Sequence, residues 1–475
     1  MTRWMIPVAM LVACGGNGPD TSDTDRTTTI DTDLPLVYAF TSRFDGEDSV
    51  SNSGQAFRNL LIADMKTHLG GVTGRIETGD IFPVDGEIDG EMEFYCDFDS
   101  STSGDLPHLF SASPSTLQLT YNDVSSDKNL EEKIAGADEI GQHVDWNTAF
   151  IGWGEPGSTS PLALIDDWSE RVDQQAVDFS NGNPPLDPDG VPVPAVYLTP
   201  EGQDLQQLLE KFLRGSIAFS QGADDYLDDD TPGKGLLADH TVAEEGKNYT
   251  ALEHAWDEGF GYFGAARDYA QWTDDEIADV GTFDADGDGH IDLKTEVTWG
   301  HAVNAAKRDR GSADTAPNDF TADAWEGFAR GRQLLANTDG ALTDDQMTEL
   351  QMWRDQAVES WEKAIASTAV HYINDVLQDM SAMDTDDYDF AGHAKHWSEL
   401  KGFALSLQFN PRSPVTDGDF AALHDLLGTA PVLETAPIED RDAYAEALLD
   451  AKDILRTSYG FDAANMGDDV GEGGW

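Results

Sequence analysis

Apolar side chains recur at helical spacing from Gly54 onward. Phe57, Leu60, Leu61 and Met65 lie three and four residues apart, which puts them on one face of a helix. Gly70-Gly71 follows and predicts where that helix stops. Between about 72 and 160, Gly, Ser, Pro and Asp break the pattern and leave short helical segments. The period then returns and predicts helices near 163–178, 201–220, 248–269, 296–309, 318–336, 343–380, 391–408, 417–427 and 438–457. The stretch Asn181 to Pro194 is a Pro/Gly-punctuated connection. Too little alternating β-branched sequence remains for a sizeable sheet, so the expected fold is all-α, with one or two small hairpins at most. Helices of these lengths joined by variable loops predict a multi-helix bundle. No short repeat suggests a solenoid, and no Pro/Gly tract divides 200–460. Residues 36–465 therefore read as a single helical domain.

The amino end has a different pattern. Arg3 precedes the apolar run Met5 to Val12, and Leu11-Val12-Ala13-Cys14 resembles a bacterial lipobox. That resemblance implies a lipoprotein signal peptide over 1–13 and lipidation of Cys14. An ordinary secretory signal with an incidental cysteine is the other reading, and both predict export. Residues 14–35, poor in apolar side chains, form an acidic flexible tether. No other apolar run approaches the ~18 residues a transmembrane helix needs. The expected location is the cell envelope, lipid-anchored, facing the periplasm or the surface.

Composition changes the picture through sign. The chain has 91 acidic and 28 basic residues, a net charge of −63, yet only 25% charged residues in all. Twelve tryptophans and 39% hydrophobic residues exclude wholesale disorder. A molecule this acidic repels nucleic acid and anionic headgroups. Because the carboxylates are spread along the whole chain, they read as a surface adapted to salt, where self-repulsion is screened. A cation-collecting surface is the alternative. With only two cysteines there is no disulfide scaffold, and Cys96, among aromatics, reads as a buried inert thiol.

Three segments carry candidate chemistry. In the first, Asp284, Asp286 and Asp288 occupy positions one, three and five of a calcium-type loop, with Gly289 at six. His290 at seven would offer its carbonyl, Ile291 supplies an apolar pin, and Asp292 stands at nine. Thr295 replaces the usual bidentate carboxylate at twelve, and Glu296 arrives one residue late. Expected consequences are weaker Ca²⁺ binding or an expanded loop. The competing reading is an ordinary acidic Asp-Gly turn.

In the second segment, His254 and Glu258 share a helix face, with Asp257 three residues from His254. In the third, His393 and Glu399 flank His396 by about 60° each around a helix, so all three could face one site. Either set could hold a transition metal such as Fe or Zn; the competing reading is carboxylates orienting a half-buried histidine. His371-Tyr372-Ile373-Asn374 adds a further polar set. No His-Glu-x-x-His, phosphate-loop or Gly-x-Ser-x-Gly motif is present, so hydrolase templates lack their key residues and no catalytic residue is assigned.

Tyr38-Ala39-Phe40, Arg43-Phe44, Ser49-Val50 and the segment Gly54 to Leu61 together resemble the family called domain of unknown function 4856. So do Gln207 to Lys211 with Gly215, Glu253 to Gly264, the calcium-type loop, Gly331-Arg332, Ala369 to Asn374 and Ser398 to Pro411. The resemblance runs from about 36 to 460. It implies a helical, imelysin-like bacterial lipoprotein, accessory to iron or haem acquisition, working with an outer-membrane uptake receptor. The alternatives are a structural or partner-binding lipoprotein whose only metal is Ca²⁺, or a metal-dependent peptidase. The imelysin hallmark Gly-x-His-x-x-Glu finds its nearest match at Ala394 to Glu399, with Ala in place of Gly.

Overall fold

In a computed structural model, residues 34–137 and 141–475 are described. The expected signal peptide, Cys14 and the tether up to residue 33 lie outside them. Among the described residues, eleven helices of nine or more residues carry the architecture: α1 Ser53–Thr78, α2 Glu87–Cys96, α3 Pro161–Ser180, α4 Leu205–Leu213, α5 Ala251–Phe263, α6 Gly300–Arg310, α7 Phe320–Ala336, α8 Asp344–Ala382, α9 Phe390–Ser406, α10 Asp417–Leu427 and α11 Ile438–Tyr459. Among the described residues there are only isolated β-bridges, the hairpin-like Thr41–Asp48 pair among them. The chain is all-α, as its periodicity predicts. No helix among the described residues is long and apolar enough to cross a membrane.

Helix α8 is the axis of Pro35–Trp475, which forms one unit. Thr343 and Gln346 close a capping box at its start, satisfying two otherwise orphaned N–H groups. Small residues Ala357, Ala364, Ala366 and Ala369 are buried along it, so α6, α7, α9 and α11 pack closely on it. Helix α4 lies between α1 and α9, and α5 packs on α1 and α7. Trp168, Trp256, Trp325, Trp361 and Trp397 are fully buried and supply much of the apolar area that holds the bundle.

Two local features depart from the sequence expectation. Helix α1 does not stop at Gly70-Gly71 but runs on to Thr78, where Gly79 (φ 76°) takes the left-handed cap. A side chain at Gly70 would put its Cβ 2.6 Å from the Gln206 amide, so this glycine permits close approach of α4 and does not end α1. Beyond α4 the chain continues in π-helical turns over Arg214–Phe219 and Gly222–Tyr226. Ser216 and Asp224 in these wider turns, and Gln221 between them, have no exposed surface, and π-turns of this kind recur at functional sites.

Candidate metal centre

The calcium-type loop folds between the small helix Asp274–Asp279 and α6. Gly287 (φ 75°) and Gly289 (φ 87°) take left-handed backbone, which lets the acidic side chains turn inward. Asp286 Oδ1 accepts the Asp288 N–H at 2.9 Å, and Asp284 Oδ2 accepts the Gly289 N–H at 3.0 Å. Ile291, fully buried, pins the loop to segment 115–117. Its N–H donates to the Ser115 carbonyl at 3.0 Å and its carbonyl accepts the Leu117 N–H at 2.8 Å. Segment 115–118 carries no motif, so nothing in the sequence marks it as the loop's support.

Glu296 completes the cluster. One carboxylate oxygen each of Asp284, Asp286 and Glu296 lie within 4.8 Å of one another, the only such acidic, histidine or cysteine triad among the described residues. Glu296 Oε1 accepts from Ala285 and Asp286 N–H at 2.8 and 3.3 Å, and Oε2 accepts from Asp292 N–H at 2.7 Å. Burial pushes its carboxyl above the ordinary range, against the pull of those amides. Asp284 Oδ1 is buried with no hydrogen-bond partner among the described residues. A divalent cation would answer that orphaned oxygen and the three crowded charges.

Asp288, His290 and Asp292 stand outside this triad. Asp288 Oδ1 accepts the His290 N–H at 2.8 Å. The His290 ring is exposed, 3.5 Å from the Ser115 hydroxyl. Asp292 Oδ1 accepts from Gln118 Nε2 and Lys294 N–H, both at 2.9 Å. The carboxylate expected one residue late is the one that reaches the cluster, and the aspartates at five and nine shape the loop.

The proposed transition-metal residues are not brought together. His254 Nε2 lies 3.8 Å from Glu258 Oε2, as the spacing predicts. Asp257, however, turns inward to Arg332 Nε at 2.9 Å and the Tyr38 hydroxyl at 3.1 Å. On α9, His393 is fully buried and its Nδ1 meets the Tyr388 hydroxyl at 3.1 Å. Burial pushes it down to about 4, so it is neutral. His396 Nδ1 donates to Asp379 Oδ2 at 2.8 Å. Burial opposes its charge, but the Asp379 carboxylate prevails and raises its pKa. Glu399 faces Lys211 Nζ at 3.3 Å. Each side chain is thus committed to a different partner from another helix or loop, and the three form no ligand triad. Cys96 is half-buried and free, with its thiol pushed by burial up to about 12.

The profile of one protein family, Domain of unknown function (DUF4856), matches residues 165–424, from α3 into α10 and across the acidic loop. The chain belongs to that family. No curated protein and no solved structure matches it.

Proposed function

We propose that this member of the family is a non-enzymatic, Ca²⁺-stabilised binding protein of the cell envelope. The observation that carries the reading is the convergence of Asp284, Asp286 and Glu296, carboxylates from both ends of one loop. Their chemistry, all oxygen and strongly anionic, suits Ca²⁺ and discriminates against softer metals. The ion would tie the start of the loop to its end, and through Ile291 to segment 115–117. It would then stabilise the fold by binding the native state alone, about 2.7 kcal/mol at a hundredfold excess over Kd. Envelope location rests on the lipobox at Cys14, which would give anchorage through lipid.

Calcium should therefore raise the melting temperature of the purified chain at constant ionic strength. Asp284→Asn with Glu296→Gln should remove that increment, and magnesium should not replace it. An equal response in wild type and double variant would refute the site. For the anchor, Cys14→Ser should move the protein from membrane to soluble fractions with its melting temperature unchanged. Membrane retention at wild-type level would discard the lipid.

A second reading, accessory to iron or haem uptake with an uptake receptor, rests on two neighbouring pairs. His396–Asp379 bridges α9 and α8, and His371 Nε2 lies 3.4 Å from Asp375 on α8. The Tyr372 ring stacks over His396. A metal there would have to displace the proton that Asp379 holds on His396. Elemental analysis of protein purified without chelator separates the readings: calcium alone supports the first, stoichiometric iron or zinc lost in His396→Ala supports the second.

A further inference from the structure

His143 and Asp224 stand 81 residues apart in sequence and meet beside a cavity of about 440 Å³. The cavity opens between segment 143–151 and segment 407–420. Asp224, in the second π-helical turn, has no exposed surface. Its Oδ1 accepts the His143 backbone N–H at 3.1 Å and the ring Nδ1–H at 2.8 Å. A carboxylate only accepts, so Nδ1 carries a proton, and in the neutral tautomer this contact selects Nε2 is left as an acceptor. Among the described residues nothing donates to that nitrogen.

The walls of the cavity are fixed independently of any ligand. The Gln408 amide accepts from the Ile151 N–H and donates to the Ile151 carbonyl, both at 3.2 Å. On the far side, fully buried Glu362 accepts from Asn410 Nδ2 and Ser413 Oγ at 2.5 Å each, and from the Tyr459 hydroxyl at 2.6 Å. Two of these bonds hold the 410–413 turn that forms one wall, and the third, from Tyr459 on α11, fixes Glu362 itself. Preformed concavity with few polar groups is the usual character of a small-molecule site.

The lining selects the ligand by charge. Trp146 packs edge-on to His143 with centroids 5.3 Å apart, its indole Nε1 buried without a partner among the described residues. Phe420 adds a second ring, Asp417 stands at the rim, and no lysine or arginine lines the space. The amino end of α10 opens here too, but Asp417 and Asp419 in its first turn neutralise its positive dipole. An anion would find no counter-charge in a molecule of net charge −63. An alcohol would satisfy Nε2, and its oxygen could accept from the Trp146 N–H, but it carries no charge for the Asp417 carboxylate or the ring faces to attract. An ammonium group donates to Nε2 and is drawn by the charge of Asp417 and by the ring faces.

We propose that this cavity binds a small organic amine, with His143 Nε2 accepting from the ammonium, Trp146 and Phe420 enclosing its apolar body, and Asp224 acting as the positioning residue for His143. Calorimetric titration of the purified chain with 2-phenylethylamine, 2-phenylethanol and 3-phenylpropanoate tests it. Sodium chloride at about 0.5 M would screen the general attraction of the surface for cations. Only the amine should bind. His143→Asn, which keeps a donor for Asp224 but removes Nε2, should weaken it at least tenfold, and Val415→Trp should fill the cavity and abolish it. On the wild-type chain, ¹⁵N shifts of His143 should show Nδ1 protonated and Nε2 moving as amine is added, a readout that no variant's folding can compromise. Equal binding of the three probes, no amine binding at millimolar concentration, a protonated Nε2 before amine is added, or undiminished binding by both folded variants would overturn the proposal.

Discussion

Lys401 has no exposed surface, and its Nζ donates to His424 Nδ1 at 2.9 Å, with no carboxylate among the described residues in hydrogen-bond reach. Burial pushes its pKa down to about 7, and the more distant Asp425 only partly opposes this. Burial and the neighbouring lysine also hold His424 well below its ordinary value. The sign of the linkage follows directly. Between about pH 7 and 10.5 the unfolded chain binds the lysine proton and the folded chain does not, so stability rises with pH across that window. Below about 6.5 the unfolded His424 takes a proton the folded one refuses, so acidification costs stability again. Against a Lys401→Met variant, which fits the apolar stem without the charge, wild type should lose on the order of 4–5 kcal/mol as pH falls from 10.5 to 7. Urea unfolding of both proteins at several pH values isolates this from the carboxylates. Parallel stability curves would show that Lys401 stays charged when folded.

Glycines show how one residue type serves opposite ends in different elements. At Gly331 on α7 a Cβ would lie 1.9 Å from the fully buried Trp256 ring on α5, so α5 and α7 cross there only because the side chain is missing. Gly71 on α1 has nothing within 4 Å of the corresponding point, and there the glycine only costs helix entropy. Gly331→Ala should therefore destabilise by about 1–3 kcal/mol or more through overpacking, whereas Gly71→Ala should stabilise by roughly 0.5–1 kcal/mol. Chemical denaturation of the two variants checks both signs; a stable Gly331→Ala protein would mean that Trp256 can move aside. The same contrast explains what the sequence disclosed. Helix existence was legible because apolar period is local, and α10 matches its expected span of 417–427. The end of α1 was not, because a glycine that stops a helix and one that admits a neighbour look alike until Gln206 is in place. The acidic loop was legible since its carboxylates lie within thirteen consecutive residues. His393, His396 and Glu399 were misgrouped because spacing fixes a helix face but not what stands opposite: Tyr388, Asp379 and Lys211 supply those partners. The π-helical turns follow no 3.6-residue signal and leave no mark in the sequence, and neither does the meeting of Asp224 and His143 that they allow.

At the scale of the whole molecule, charge decides behaviour more than any single pair. The chain has 28 basic and 91 acidic residues; even if every cation took one carboxylate, 91 − 28 leaves 63 without a cationic partner. Some basic groups are also spent inside, as where Arg332, fully buried, bonds Asp257 and Glu253, a triad that stabilises only while complete. The remaining carboxylates repel across the surface. At 0.01 M salt the Debye length is about 30 Å, so repulsion reaches across the fold; at 1 M it is about 3 Å and only neighbours interact. Folding brings these charges closer than the unfolded chain does, so screening favours the native state. Melting temperature should rise by roughly several degrees between 0.01 and 1 M NaCl. Below about 0.3 M, potassium and tetramethylammonium chlorides should act like sodium chloride, since screening depends on ionic strength and not on ion identity. Calcium should behave differently. A few millimolar added in 0.5 M NaCl barely changes ionic strength, yet should still raise the melting temperature through Asp284, Asp286 and Glu296. Thermal scans across the three monovalent salts, with and without calcium, separate the two effects. A flat or falling response to sodium chloride would show that the acidic surface is not a source of instability, and a calcium increment that vanishes in 0.5 M NaCl would reduce the loop to one more part of that surface.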